Sequence, residues 1–244
     1  MYIDAHNHLD LYGDKLYKAI NIINKKKIKT LACSMDEKSY LLAKNLSKEN
    51  TLIVPCFGIH PWNAHKNSNY LERFDTYIKE TPIIGEIGLD FHWVLEDYKF
   101  PHQIKVLKYF FKKANEYNKI TNLHTKGAEY QILKLIKQYN LRTPIIHWYS
   151  GPFDILKKLL DYGCYFTISV DLGYSKITEE MVKYIPIERI LTETDGPSAL
   201  KWINGKYGYP DYIINIVEKI STLKKITGEE AKEKIHNNFK LLFK

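Results

Sequence analysis

The chain has 244 residues and a mass of 28.7 kDa, with 45% hydrophobic and 26% charged residues, an ordinary globular composition that excludes a disordered or fibrous protein. No run approaches the roughly 18 uncharged apolar residues of a membrane helix. Met1-Tyr2-Ile3-Asp4-Ala5-His6 lacks the basic segment and apolar run of a secretory signal, so the cytoplasm is the expected compartment, with no membrane partner. The formal net charge is +8, and all but three of the 36 basic residues are lysines, the exceptions being Arg73, Arg142 and Arg189. With so little of the residue that reads guanine edges bidentately, a sequence-specific DNA reader is disfavoured, whereas lysine still attracts phosphate without regard to sequence.

Taken in chain order, short β-rich runs alternate with longer amphipathic stretches. Tyr2–His6 reads as a strand and Asp14–Asn24 as a helix. Lys29–Cys33 is followed by a helix over Asp36–Ser47, and Leu52–Gly58 by one over Ser68–Glu80, with Asp36 and Ser68 as caps. Ile83–Ile87 precedes His102–Tyr117, Ile120–His124 precedes Ala128–Tyr139, and Ile145–His147 precedes Phe153–Asp161. Tyr165–Val170 precedes Thr178–Ile185, and Arg189–Thr192 is the eighth strand. A Gly-containing loop, Gly205–Tyr209, then leads to helices over Asp211–Leu223 and Glu229–Leu242. Eight β-α alternations in about 250 residues predict one closed (β/α)8 TIM barrel spanning residues 1–244. Cys33, Cys56 and Cys164, odd in number and set in apolar runs, read as reduced core thiols.

In such a barrel the C-terminal ends of the strands carry the chemistry. Asp4, His6 and His8 alternate at the end of the first strand and should share a face. Glu86, His124 and His147 fall at the ends of strands four, five and six, and Asp195 follows strand eight. One histidine at a strand end is most often a hydrogen-bonded polar residue. Four histidines and two carboxylates converging from five strands form a set that imidazole- and carboxylate-binding divalent ions would satisfy. Trp62, Phe91, Trp93, Trp148 and Tyr149 fall in rim loops, where they either pack the loops or stack bases of a frayed strand. Ser150 and Ser198 lack a free His–Asp partnership, and Gly85–Gly88 lacks the third glycine of a dinucleotide fingerprint.

These residues lie in Asp4-Ala5-His6-Asn7-His8, Gly58-Ile59-His60-Pro61, Gly85-Glu86-Ile87-Gly88-Leu89-Asp90, His124, His147-Trp148-Tyr149-Ser150-Gly151 and Thr192-Glu193-Thr194-Asp195-Gly196-Pro197, with Asn238-Phe239 near the end. Six motifs in this order resemble the TatD family of metal-dependent hydrolases over nearly the whole chain. The resemblance implies a two-metal site in which His6, His8 and Asp195 hold one ion, His124 and His147 hold the other, and Glu86 bridges them. It further implies Mg²⁺ or Mn²⁺, with Zn²⁺ as an alternative, and phosphodiester hydrolysis of DNA without sequence specificity. Asp195 and Glu86 would be catalytic, and His60 and Lys126 would contact substrate. The rim departs from the family pattern, since His124-Thr125-Lys126-Gly127-Ala128 stands where His-Ser-Arg-Asp-Ala is usual, exchanging a planar fork for a point charge and removing a carboxylate. A second departure is the order Phe91-His92-Trp93 after Gly88-Leu89-Asp90. Two other functions remain open at this point: an amide, ester or lactone hydrolase on the same fold, and a nucleic-acid-binding protein with a vestigial site.

Overall fold

Eight strands, all parallel, lie in one sheet in chain order and alternate with helices, the arrangement of a (β/α)8 barrel. The computed structural model describes residues 1–243. The strands are β1 Tyr2–Asn7, β2 Ile28–Cys33, β3 Ile53–Phe57, β4 Ile83–Asp90, β5 Ile120–Lys126, β6 Ile145–Ile146, β7 Tyr165–Ile168 and β8 Ile190–Thr192. The helices are α1 Leu16–Lys26, α2 Glu37–Glu49, α3 Pro61–Asn67, α4 Asp75–Glu80, α5 Phe100–Glu116, α6 Glu129–Tyr139, α7 Phe153–Tyr162, α8 Lys176–Tyr184, α9 Ser198–Asn204, α10 Ile213–Lys224 and α11 Gly228–Leu242. No helix among the described residues is long and apolar enough to cross a membrane. Cys33, Cys56 and Cys164 are free and buried.

The strands read as apolar runs because helices outside and side chains inside cover both faces, as in β4, where all eight residues are buried. Each helix contributes one stripe: α5 buries Gln103, Val106, Leu107, Phe110, Phe111 and Ala114, the three-to-four spacing that keeps one face inward. Burying a side chain such as Phe110 contributes roughly 1.5–3 kcal/mol.

Two local expectations differ from the structure. Asp36 caps α2 through a capping box, its Oδ1 accepting from Ser39 N–H at 2.9 Å while Ser39 Oγ accepts from Asp36 N–H at 3.1 Å. Ser68 caps nothing: its hydroxyl pairs with His102 Nδ1 at 2.7 Å. Tyr70 then takes a left-handed conformation, and a 3-10 turn over Leu71–Phe74 delays α4 to Asp75. Two short helices, α3 and α9, form where no helix is expected from the sequence; in α3, Pro61 sits in the first turn, where its missing N–H costs nothing.

Seven parallel ladders join successive strands. The seam between β8 and β1 is held instead by individual bonds. Thr192 Oγ1 donates to Ile3 O at 2.5 Å, Asp195 N to His6 O at 3.0 Å and His8 N to Gly196 O at 3.0 Å. Asp4 belongs to this seam, its carboxylate accepting from Thr194 N at 2.8 Å, Thr194 Oγ1 at 2.6 Å and Asn7 Nδ2 at 3.0 Å. Asp4 thus engages the seam and is not part of the donor groups that contain His6 and His8, and the β1 register shifts between Asp4 and Asn7.

Candidate metal centre

Strand lengths decide where each candidate ligand stands. β4 runs past Glu86 to Asp90, so Glu86 lies inside the strand, and β5 runs past His124 to Lys126. His147 follows β6 directly, and Asp195 lies beyond β8, tied to β1 by the seam. Gly58 makes room for Glu86, because a Cβ there would lie 2.2 Å from the Glu86 carbonyl oxygen.

The five other predicted ligands gather around the Glu86 carboxylate, whose two oxygens face different partners. Oε2 lies 3.2 Å from His6 Nε2 and 3.4 Å from His8 Nε2; Asp195 Oδ1 lies 3.3 Å from His8 Nε2 and 4.0 Å from His6 Nε2. Oε1 lies 2.8 Å from His124 Nδ1, 3.0 Å from His147 Nε2 and 3.5 Å from His60 Nε2. The sets His6–His8–Asp195, His6–Glu86–His147 and His60–Glu86–His124 each bring three donor atoms within 4.8 Å of one another. Every member is buried.

Partners behind the rings settle which nitrogen faces the centre. Asn122 Nδ2 donates to Ala5 O at 2.8 Å, which turns its Oδ1 toward His6 Nδ1 at 2.9 Å. The Cys33 carbonyl lies 3.1 Å from His8 Nδ1. An oxygen that only accepts fixes the proton on Nδ1, leaving Nε2 of each neutral ring with its lone pair aimed inward. His124 is reversed: Asp90 Oδ2 takes Nε2 at 3.0 Å and Nδ1 faces Glu86. Glu193 Oε2 stands 3.4 Å behind His147 Nδ1.

His60 has the opposite arrangement. Its Nδ1 accepts from Trp62 N–H at 3.1 Å, capping α3, so in the neutral ring the proton is on Nε2, the atom facing Glu86. Burial lowers its pKa to about 4, which keeps it neutral. In this tautomer His60 presents an N–H and not a lone pair to the centre, although its distances resemble those of a ligand.

Burial alone would push the Glu86 carboxyl up, yet His60, His6 and His147 around it hold it well below the ordinary carboxylate value. Asp195 behaves likewise, held at about 2 against its burial by His8. Two buried carboxylates among facing imidazole nitrogens 3.3–3.4 Å apart, with Glu86 Oε2 lacking any hydrogen-bond partner, form a donor set that cations would complete. Without them, each buried charge costs several kcal/mol. The residues fit divalent ions of the kind that imidazole and carboxylate bind.

Three carboxylate or amide groups that orient these rings were absent from the ligand set read in the sequence: Asp90, Asn122 and Glu193. Asp90 also accepts from His92 N at 3.0 Å, Trp93 N at 2.7 Å and Trp62 Nε1 at 2.7 Å, tying the rim to His124. At the rim, Lys126 Nζ donates to Ser150 Oγ at 2.7 Å and lies 5.2 Å over the Trp148 ring; no carboxylate of the described residues lies within ion-pair distance. Burial lowers its pKa. Trp62 and Trp93 expose 45% and 64% of their surface, but Tyr149 is 2% exposed, donates to Pro152 O at 2.6 Å and cannot stack on a ligand. Trp202 on α9 is a further exposed rim tryptophan, lying nearly parallel to Trp148 with ring centroids 6.3 Å apart.

Comparison with known proteins agrees with this geometry. The profile described as TatD related DNase matches residues 3–244. An uncharacterized metal-dependent hydrolase of Methanocaldococcus jannaschii is 28% identical over 250 residues, covering 100% of this chain and 97% of the relative. The crystal structure of YJJV, a TatD homolog from Escherichia coli, superposes with a TM-score of 0.89 at 21% identity, covering 99% of this chain and 97% of that one. A TatD family hydrolase from Entamoeba histolytica gives 0.82 at 19% identity, covering 99% and 97%. A profile match over almost every residue, on a barrel whose rim gathers buried histidines and carboxylates, places this chain in the TatD family of metal-dependent hydrolases.

Proposed function

We propose that the protein is a two-metal phosphodiesterase that degrades DNA without sequence specificity. The observation that carries this reading is the Glu86 carboxylate, whose oxygens address two separate donor groups: Oε2 with His6, His8 and Asp195, and Oε1 with His124 and His147. His6, His8 and Asp195 would hold one ion, His124 and His147 the other, and Glu86 both. Mg²⁺ or Mn²⁺, with Zn²⁺ as an alternative, would supply Lewis acidity toward the phosphoryl group and a lowered pKa for the attacking water.

The side chains supply the rest. Asp195, ionised down to about pH 2, would help hold an ion and would accept the proton of the attacking water. His60 Nε2–H donates to a phosphoryl oxygen, and Lys126, a cation without a carboxylate partner, attracts the backbone phosphate beside it. Lys126 is what favours a phosphodiester over a neutral ester, amide or lactone. Three buried free thiols suit a reducing cytoplasm.

The test is metal-stripped protein reconstituted separately with Mg²⁺, Mn²⁺ and Zn²⁺ and offered end-labelled single- and double-stranded DNA beside an ester, amide and lactone panel. DNA cleavage at about two bound equivalents is expected. Turnover confined to the carbonyl panel, or saturation at one equivalent, would overturn the reading.

A further inference from the structure

The loops after β4, β5 and β6 border an open cavity of about 430 Å³ at the rim, within the range that holds small ligands. Lys126 forms part of its wall two residues beyond His124 on β5, so it lies on the same strand face about 6–7 Å further along. Trp93, 64% exposed, lines the cavity together with Ser150 and Gly151 and offers a flat apolar ring.

Glu129 also lines the cavity and is only 9% exposed. Its Oε1 accepts from Gly127 N–H at 3.2 Å, while no described residue donates to Oε2 or forms an ion pair with it. The cavity therefore holds a cation and an anion that do not pair with each other, because Lys126 turns to Ser150. Two glycines allow this. Gly127 has φ +67°, and a Cβ there would lie 3.2 Å from His92 N; a Cβ on Gly151 would lie 2.4 Å from Glu129 Cγ.

A ligand complementary to all three groups has an anionic group for Lys126, a flat ring for Trp93 and an N–H donor for Glu129. A bare phosphate satisfies only the first and is repelled by the carboxylate. Adenine, cytosine and guanine each carry an exocyclic amino group, whereas thymine has carbonyl oxygens on both sides of its single N3–H, so a carboxylate pairs more readily with the first three. We propose that this cavity is a nucleobase subsite, seating a base beside the scissile phosphate and favouring the amino-bearing bases over thymine, a preference at one position and not recognition of a sequence. The proposal rests on the phosphodiesterase reading for its place in the reaction, but its binding specificity can be measured without turnover.

The experiment is calorimetric titration of dAMP, dCMP and dTMP into the full-length protein and its Glu129→Gln and Trp93→Ala variants, alongside cleavage of oligo-dA, oligo-dC and oligo-dT by the Mn²⁺-loaded enzyme. Wild type should bind dAMP and dCMP about tenfold more tightly than dTMP. Glu129→Gln keeps an oxygen for Gly127 N–H and turns an amide N–H₂ to the ligand, so the preference should vanish or invert; Trp93→Ala should weaken all three alike. Equal binding of the three by wild type, or an unchanged preference in Glu129→Gln, would overturn the subsite. Mononucleotide preference without cleavage of any oligonucleotide would uphold the subsite and refute the phosphodiesterase reading. Cleavage without any base preference would do the reverse.

Discussion

The two sides of the metal centre are built differently. On the seam side, His6 and His8 are backed by neutral oxygens, the Asn122 amide and the Cys33 carbonyl, and Asp195 is placed by a main-chain bond to His6. Across Glu86, His124 is backed by the Asp90 carboxylate and His147 by Glu193. A carboxylate behind an imidazole makes the facing nitrogen more basic than an amide or carbonyl does. The seam side is therefore fixed mainly by backbone and the other side by charge, and the two should respond differently to substitution, chelation and pH.

Glu86 belongs to both sides, so its loss should have the largest effect. Glu86→Ala is expected to release metal from both and to lower kcat by about 10⁴-fold, near 5.5 kcal/mol of barrier. Elemental analysis of the variant checks this; full retention of ions would remove Glu86 from the centre. Asp195→Asn should separate ligation from proton transfer: kcat falls about 10³-fold, roughly 4 kcal/mol, while metal content falls far less. Near-normal turnover in that variant would shift the proton to another acceptor.

The contrast itself is tested by the backing groups. Glu193→Gln and Asp90→Asn should each weaken one of two ions by about 10–100-fold, measured by competition with a graded chelator, whereas Asn122→Asp should tighten the other. If the three variants affect the same ion equally, the two-sided description is wrong.

The smallest expected effect concerns pH. In the metal-free protein, burial alone would lower the pKa of His147, but Glu193 and Glu86 raise it to about 9; Asp195 and Glu86 likewise raise His8 well above its ordinary value. A base whose folded pKa is raised stabilises the fold fully below about pH 6.5, and that contribution is lost as pH climbs through the folded value. The Tm of metal-free protein should therefore decline between about pH 6.5 and 9, by about 2–4 °C for each kcal/mol lost. Metal binding near neutral pH should release protons, visible as a buffer-dependent binding enthalpy. A flat metal-free Tm across that window would show that these rings are already neutral.

How much of this was readable in the sequence differs residue by residue. The eight strands were, because helices outside and side chains inside leave apolar runs such as Leu52–Gly58 that need no long-range information. Their lengths were less so: β4 and β5 pair Asp90 with Lys126, beyond the apolar residues, so Glu86 was read as a strand end when it is interior. The turn at Tyr70 that delays α4 and the helix carrying Trp202 were also missed, since left-handed backbone at a tyrosine and a seven-residue helix leave weak local patterns.

The convergence of His6, His8, Glu86, His124, His147 and Asp195 followed from the sequence because a parallel barrel sends every strand's C-terminal end to one rim, whatever the side chains. Tertiary structure alone decided what each group does there. His6 takes its tautomer from Asn122, 116 residues away, and His60, read from the sequence as a substrate contact, has its Nε2 proton set by the Trp62 amide at the start of α3. Asp4 has the right type and spacing, yet it is drawn into the seam by Thr194, 190 residues away. Spacing along a strand fixes the face a side chain leaves from; the hydrogen-bond partner behind it, supplied by a distant segment, fixes where its protons sit and which atom remains free to bind.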